Sequence, residues 1–107
     1  MSGTGDTSVR SYNFFKSSTI AGAGAYTDAG NILPFVDDDS GIIFTSHTIQ
    51  LINDAGSSIF FRVAADTGGL PDHGEVKAGE ALTQDFRRLK EIYLKGTPGA
   101  AYRFWAW

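Results

Sequence analysis

The sequence predicts an all-β protein: an antiparallel β-sandwich, jelly-roll-like, with a flexible N-terminal arm. Three observations support this. Short apolar segments recur at the spacing of about 8–12 residues that is typical of sandwiches and barrels. Several of them alternate apolar and polar residues with a period of two, which indicates half-buried strands. Turn-forming Gly, Asp and Pro residues separate them, and the 107 residues include 13 glycines.

The chain length predicts one folded domain, because single domains most often have about 100–150 residues. Residues 1–11 are mainly Gly, Ser and Thr, and such a segment cannot offset the entropy of ordering by itself. We therefore predict an arm or disordered tail over residues 1–11 and a single β-sandwich domain over residues 12–107.

The first half of the domain alternates short strands with loops. Residues 12–16 form the first apolar patch and the first predicted strand. Residues 17–30 are small and rich in Gly and Ala, and each glycine costs a helix about 1 kcal/mol relative to Ala, so a loop or irregular strand is favoured. Residues 32–36 contain a proline and are predicted as an edge strand, and the acidic residues 37–41 then break the chain.

Residues 47–64 carry the clearest strand pattern and are predicted to form a β-hairpin. Ile49 and Leu51 alternate with polar residues in its first half, and Ile59 and Phe61 do so in its second. The Asn-Asp-Ala-Gly sequence between the halves favours a chain reversal.

The second half of the domain is also predicted to consist of short strands separated by loops. Residues 66–74 predict a loop, and residues 76–82 predict a strand, a turn and another strand, followed by Phe86 as a core anchor. Residues 89–95 are predicted as a strand, although their apolar spacing also fits a helix. Residues 101–107 close the chain as a strand with aromatic side chains on both faces.

Composition excludes several classes of function. The net charge of −3 argues against nucleic-acid binding, and the small basic cluster Arg87, Arg88 and Lys90 is interpreted as a solvated turn or strand edge. The chain has no cysteine, which excludes disulfides and thiolate chemistry. No run of about 20 apolar residues predicts a membrane span, and no signal peptide is apparent.

The sequence offers only weak candidates for a metal site or an active site. His47 and His73 stand on different elements, and a zinc site needs three or four ligands. Asp37 and Asp39 resemble the start of a calcium loop, but the Glu that would complete it is missing. No catalytic motif is present, so we predict a non-enzyme without metal or cofactor.

The aromatic C-terminus is the strongest candidate for a binding surface. On a strand, Tyr102 and Phe104 share one face, while Arg103, Trp105 and Trp107 share the other. One face should enter the core. The other is predicted to bind a protein partner, with coverage by the arm or a loop, a subunit interface or a sugar-stacking platform as alternatives.

Residues 42–107 have a layout of strands and turns that resembles small virion proteins of tailed bacteriophages. The pattern runs through Ile49-x-Leu-x-Asn-Asp, Ile59-Phe-Phe-Arg-Val, Val76-Lys-Ala-Gly-Glu and Ile92-Tyr-Leu-Lys-Gly, and ends in Tyr102-Arg-Phe-Trp-Ala-Trp. Residues 1–41 carry no matching motif.

Within that group the chain looks most like a capsid decoration, or cement, protein. The resemblance implies a small β-rich structural protein, a homotrimer that binds the major capsid protein on the virion surface after synthesis in the host cytoplasm. Nucleic acid and membranes are not expected partners. A tail or baseplate component shares the same features, and a carbohydrate-binding module that uses Trp105 and Trp107 is the further alternative.

The arm has a predicted role in this interpretation. Residues 1–16 are expected to order on the capsid or on an adjacent protomer, with Tyr12, Phe14 and Phe15 as the anchors. The predicted protein interface therefore comprises Tyr12, Phe14, Phe15, Arg103, Trp105 and Trp107.

Overall fold

Eight β-strands account for the regular structure of the described chain. The structure, a computed structural model, describes residues 13–63 and 72–107. The strands are β1 Phe14–Thr19, β2 Ile32–Pro34, β3 Ser46–Asn53, β4 Ile59–Arg62, β5 Gly74–Val76, β6 Ala81–Leu89, β7 Glu91–Gly96 and β8 Ala101–Ala106. A short 3₁₀ turn, Ala29–Asn31, precedes β2, and the described residues contain no α-helix.

The strands form two four-stranded antiparallel sheets that pack face to face. Sheet A has the order β1-β8-β3-β6, and sheet B has the order β2-β7-β4-β5. Of the connections between these strands, only the one from β4 to β5 stays within a sheet. This winding is that of a jelly roll, so the predicted all-β sandwich is confirmed.

The core lies between the sheets and is built mainly from alternate strand residues, with further members from the connections. Ile49, Leu51 and Phe104 of sheet A and Ile59 and Leu94 of sheet B are all fully buried. Each such side chain contributes about 1.5–3 kcal/mol when it leaves water. The remaining core members are Ile20, Leu33, Phe35, Phe44, Phe61, Val76, Leu89, Ile92, Ala100, Tyr102 and Ala106. Phe86 packs against this cluster while half-buried, as expected of a core anchor.

The predicted hairpin over residues 47–64 is wrong, because its two strands lie in different sheets. β3 is paired with β8 on one side and β6 on the other, so neither of its edges is free for β4. After Asn53 the chain instead passes from sheet A to sheet B, where β4 pairs with β5 and β7. The alternation of apolar and polar residues identifies which side chains face the core. It cannot distinguish a hairpin from a connection between sheets, because both give the same alternation.

For two further segments the predicted strands are present, but they are connected differently from the prediction. Residues 76–82 do form strand, turn and strand, with Gly79 at φ 76° in the turn, but β5 belongs to sheet B and β6 to sheet A. The predicted strand over residues 89–95 is divided at Lys90, since Leu89 ends β6 and Glu91 starts β7. The helical alternative for this segment is excluded.

Other local predictions are confirmed. Of residues 17–30, predicted as a loop or irregular strand, residues 20–28 form a loop, while residues 17–19 belong to β1 and residues 29–30 to the 3₁₀ turn. The edge strand is as predicted, since β2 pairs with β7 alone. The predicted arm over residues 1–11, Tyr12 and residues 66–71 of the predicted loop lie outside the described residues.

Candidate functional site

The last strand divides its aromatic residues between the core and the outside, as the alternation predicts. Tyr102 and Phe104 are 1% and 0% exposed in the core. Arg103, Trp105 and Trp107 project from the outer face of sheet A, where Trp105 is half-buried and Trp107 remains 41% exposed.

The neighbouring strand β1 adds one more ring to this surface. Phe15 stands opposite Trp105 in the register between β1 and β8, and their ring centroids are 4.8 Å apart at an interplanar angle of 42°. Phe15 is 42% exposed. We call the outer surface formed by Phe15, Trp105 and Trp107 the aromatic face. A shallow concavity on it is lined by Asn13, Trp105, Ala106 and Trp107.

Phe14, predicted as a partner anchor, does not join the aromatic face. Its ring lies 5.9 Å from that of Phe35 and 6.1 Å from that of Phe104, so it packs on the core. Successive residues of a strand point to opposite faces, so Phe14 and Phe15 cannot share one surface. Tyr12 lies outside the described residues.

Arg103 is engaged within the protein. Its Nε and Nη2 atoms donate to the two carboxylate oxygens of Asp54 at 2.8 and 2.9 Å. The hydrogen bonds from Arg103 lower the pKa of Asp54, and Asp54 in turn raises the pKa of Arg103. This bidentate pair neutralises the charge beside the aromatic rings.

The acidic turn proposed as a calcium loop uses its main carboxylate for the backbone. Asp37 is 5% exposed and accepts hydrogen bonds from the backbone N–H groups of Asn13, Asp39 and Ser40 at 2.9, 3.2 and 2.8 Å. Burial alone would raise the pKa of Asp37, but these bonds and one from the Ser40 hydroxyl outweigh it and lower the pKa.

The acidic turn also covers the edge of β1. The Asp38 carboxylate accepts the backbone N–H of Phe15 at 3.1 Å, next to the bond from Asn13 to Asp37. Asp39, the second calcium candidate, is exposed. The residues that the structure describes include no group of three or more His, Asp or Glu side chains that could hold a metal ion.

The two histidines lie on different sheets. His47 is an exposed residue at the start of β3 in sheet A. His73 precedes β5 in sheet B, and its Nδ1 accepts the backbone N–H of Val63 at 2.9 Å. The structure therefore does not bring them together.

A cluster of ionisable residues on the outer face of sheet B was missed by sequence reasoning. The Tyr26 hydroxyl donates to Asp72 at 2.6 Å, and the guanidinium carbon of Arg62 lies 4.6 Å from the centre of the Tyr26 ring. The Lys95 ammonium pairs with Asp72 at 2.9 Å and lies 4.9 Å from the centre of the Phe60 ring.

The electrostatics of this cluster suit a structural clamp better than acid–base chemistry. Burial, followed by the hydrogen bond to Asp72, raises the pKa of Tyr26, so the phenol stays protonated. The bonds from Tyr26 and Lys95 lower the pKa of Asp72, so the carboxylate stays ionised. Neither group exchanges protons near neutral pH, and together they hold the loop between β1 and β2 on sheet B.

Little in the sequence could have revealed the clamp. Tyr26 and Asp72 are separated by 46 positions. Arg62 in an otherwise apolar strand is the single hint, because a cation that becomes 4% exposed needs partners.

We find no protein-family model and no curated protein that matches the chain. The described residues also hold no helix with the length and apolar content needed to cross a bilayer.

Proposed function

We propose that the protein is a non-enzymatic structural protein of a tailed-phage virion. In this role it decorates the capsid surface as a homotrimer and binds the major capsid protein. The observation that carries the proposal is the aromatic face: exposed rings held on paired strands of a closed sandwich. The resemblance of residues 42–107 to small virion proteins is the reason for proposing the major capsid protein as the partner.

The aromatic face has the chemistry of a protein-binding surface. Tryptophan is among the residues that dominate binding hot spots, and rings held in a sheet lose little entropy on binding. The Phe15 ring rests against Trp105, so the two form one apolar surface rather than separate side chains. Many copies on a capsid lattice would multiply a modest single-site affinity.

Several ionisable groups of the described chain are engaged in structural contacts, which supports a non-catalytic role. The Asp37 carboxylate caps backbone N–H groups, Arg103 is paired with Asp54, and Asp72 is held by Tyr26 and Lys95. Each of these groups stabilises the fold.

The jelly-roll fold is compatible with this proposal but does not distinguish it from other functions. Jelly rolls occur in viral capsid proteins and also in lectin domains, so the choice between partners depends on the surface and not on the fold.

The test is cosedimentation with empty heads of the phage that encodes the chain. Wild-type protein should pellet with heads, while Phe15→Ala and Trp105→Ala should each weaken binding about tenfold or more, as expected for hot-spot rings. Phe60→Ala removes a half-buried ring from the opposite sheet and is the matched control. Binding to tails but not to heads would replace decoration with the tail or baseplate alternative.

A carbohydrate-binding module is the second candidate. The concavity lined by Asn13, Trp105, Ala106 and Trp107 favours it, because indole rings beside a carboxamide can stack on a sugar and hydrogen-bond its hydroxyls. A glycan array with wild-type protein and Trp107→Ala decides: a hit that the variant loses supports this function, and no hit removes it.

A further inference from the structure

Trp107 lies at one end of the sandwich, where strands of sheet A begin or end. We call it the Trp107 end. β1 begins here and β8 ends here, since Phe14 pairs with Ala106. β3 begins and β6 ends at the same place, since Ser46 pairs with Leu89. All four strands of sheet A therefore contribute to this end.

The apolar side chains that the described residues leave most exposed share this location. They are Phe15, Ile42, Ile43 and Trp107, with exposed fractions of 42%, 57%, 56% and 41%. Scattered apolar residues are normal on a surface, but a group of large ones at one end indicates an interface.

The turn that carries the two isoleucines is fastened to this end. The Asp37 carboxylate accepts the N–H of Asn13, the residue before β1. The Asp37 N–H donates to the carbonyl of Ile42 at 2.9 Å, and Ile43 forms a β-bridge with Val36. The backbone therefore holds both isoleucines at the surface.

Opposite charges flank this apolar group. Asp38 and Asp39 lie exposed beside β1, one edge of sheet A. Arg88 and Lys90 lie exposed at the end of β6, the other edge, and neither forms an ion pair with a side chain that the structure describes. Lys16 on β1 reduces the negative charge of its edge, and Asp85 on β6 reduces the positive charge of the other edge, without reversing either.

The free edge of β1 does not favour the addition of a strand from another molecule at this end. The N–H groups of Asn13 and Phe15 are already bonded to Asp37 and Asp38. Contact here must be made by side chains. An apolar group with an acidic edge on one side and a basic edge on the other is complementary to a rotated copy of itself.

We propose that the Trp107 end is the contact between copies of this chain. The acidic edge of one copy meets the basic edge of the next, and Ile42, Ile43 and Trp107 are buried between them. This inference rests on the homo-oligomer in the proposed function but not on binding to the capsid. Of the aromatic face, Trp107 is then buried between copies, and Phe15 and Trp105 remain exposed for the capsid.

The first experiment measures the mass of the intact chain in solution at about 100 µM, because self-association follows mass action. Wild-type protein should exceed the 11.5 kDa of one chain, and a homotrimer has three times that mass. The double variant Ile42→Ser/Ile43→Ser should be monomeric, while Ile52→Ser, at a half-buried position toward the opposite end of β3, should keep the wild-type mass. Circular dichroism checks that each variant retains its strands.

The second experiment exchanges the charges. Asp39→Lys and Arg88→Glu should each weaken the oligomer, since each places like charges together across the contact. The double variant Asp39→Lys/Arg88→Glu should restore it, because the two edges are again opposite in sign. Such a recovery cannot come from a variant that merely fails to fold.

A monomeric wild-type protein would overturn the proposal, as would an oligomer that survives the Ile42→Ser/Ile43→Ser change. Loss of the oligomer in both charge variants without recovery in the double variant would overturn the arrangement of the edges. An oligomer that forms as described but does not bind heads would leave this contact standing and remove the proposed function.

Discussion

Gly24 shows how strongly a single position can be constrained in this fold. It lies in the loop between β1 and β2, where its carbonyl accepts the N–H of Gly96 at the end of β7 at 3.0 Å. Its φ of 84° is one that residues with a side chain rarely adopt, and a Cβ added there would overlap the carbonyl oxygen of Gly96. The loop can approach the sheet only because this side chain is absent.

We expect Gly24→Ala to lower the free energy of unfolding by about 3 kcal/mol, the combined cost of the strained φ and the overlap. Gly79→Ala is the matched control, because Gly79 has a similar φ of 76° with open space around it. That change should cost only about 1 kcal/mol. Urea denaturation of both variants measures the difference, and equal losses would show that the approach to Gly96 does not matter.

The difference between Phe14 and Phe15 shows what can be predicted at this scale. Their sequence predicts an apolar strand, and alternation requires that they face opposite ways. Which of them faces the core depends on the register with β8, where Phe15 meets Trp105. That register comes from residues about 90 positions away and cannot be read locally.

At the scale of elements, the connection from β3 to β4 joins the two sheets. Asn53 is fully buried at its start, and its Nδ2 atom donates to the carbonyls of Ser57 and Val76 at 2.7 and 2.8 Å. Its Oδ1 atom accepts the N–H of Ala55 at 2.8 Å. The Asn-Asp-Ala-Gly sequence predicts a hairpin turn, but its asparagine instead stabilises a connection between the two sheets.

Asn53→Ala should lower the free energy of unfolding by about 3 kcal/mol, because it leaves buried backbone groups without partners. Asp54→Ala is the neighbouring control. Asp54 is an exposed residue whose side chain pairs with Arg103, and surface pairs contribute little. Thermal or urea unfolding of the two variants tests this, and similar losses would contradict the role given to Asn53.

At the scale of the whole molecule, several ionisable groups couple stability to pH. Burial and the bond to Asp72 raise the pKa of Tyr26, the bond to Glu91 and burial raise that of Tyr93 to about 12, and burial raises that of Tyr102 although Ser18 opposes the rise. The pKa values of Asp37 and Asp72 are lowered, and these two groups make the free energy of unfolding depend on pH in the acidic range.

We expect stability to be constant between about pH 5 and pH 9 and to fall on both sides. A raised tyrosine pKa stabilises the fold fully below the ordinary value of about 10, and that stabilisation is lost as the pH rises toward the folded value. A lowered aspartate pKa stabilises the fold above about 3.9, and that contribution is lost as the pH falls through the folded value.

Urea denaturation across this range, with tyrosine ionisation followed by absorbance, measures the effect. Tyr26→Phe should reduce the alkaline loss, since it removes one of the groups that must stay protonated. A stability that does not change up to about pH 11 would contradict the raised tyrosine pKa values.

The sequence by itself determined that this chain is an all-β sandwich and that Tyr102 and Phe104 of the last strand face the opposite way from Arg103, Trp105 and Trp107. Both follow from alternation and turn residues, which act within a few positions of one another. Tertiary structure alone decided that β3 and β4 belong to different sheets, that Phe14 packs on the core and that Asp38 accepts a backbone N–H of β1. It also brought Tyr26 to Asp72 and fastened the turn that carries the exposed isoleucines to the start of β1. These features depend on pairings between distant segments, whose energies are set by which strand edges and buried groups remain to be satisfied.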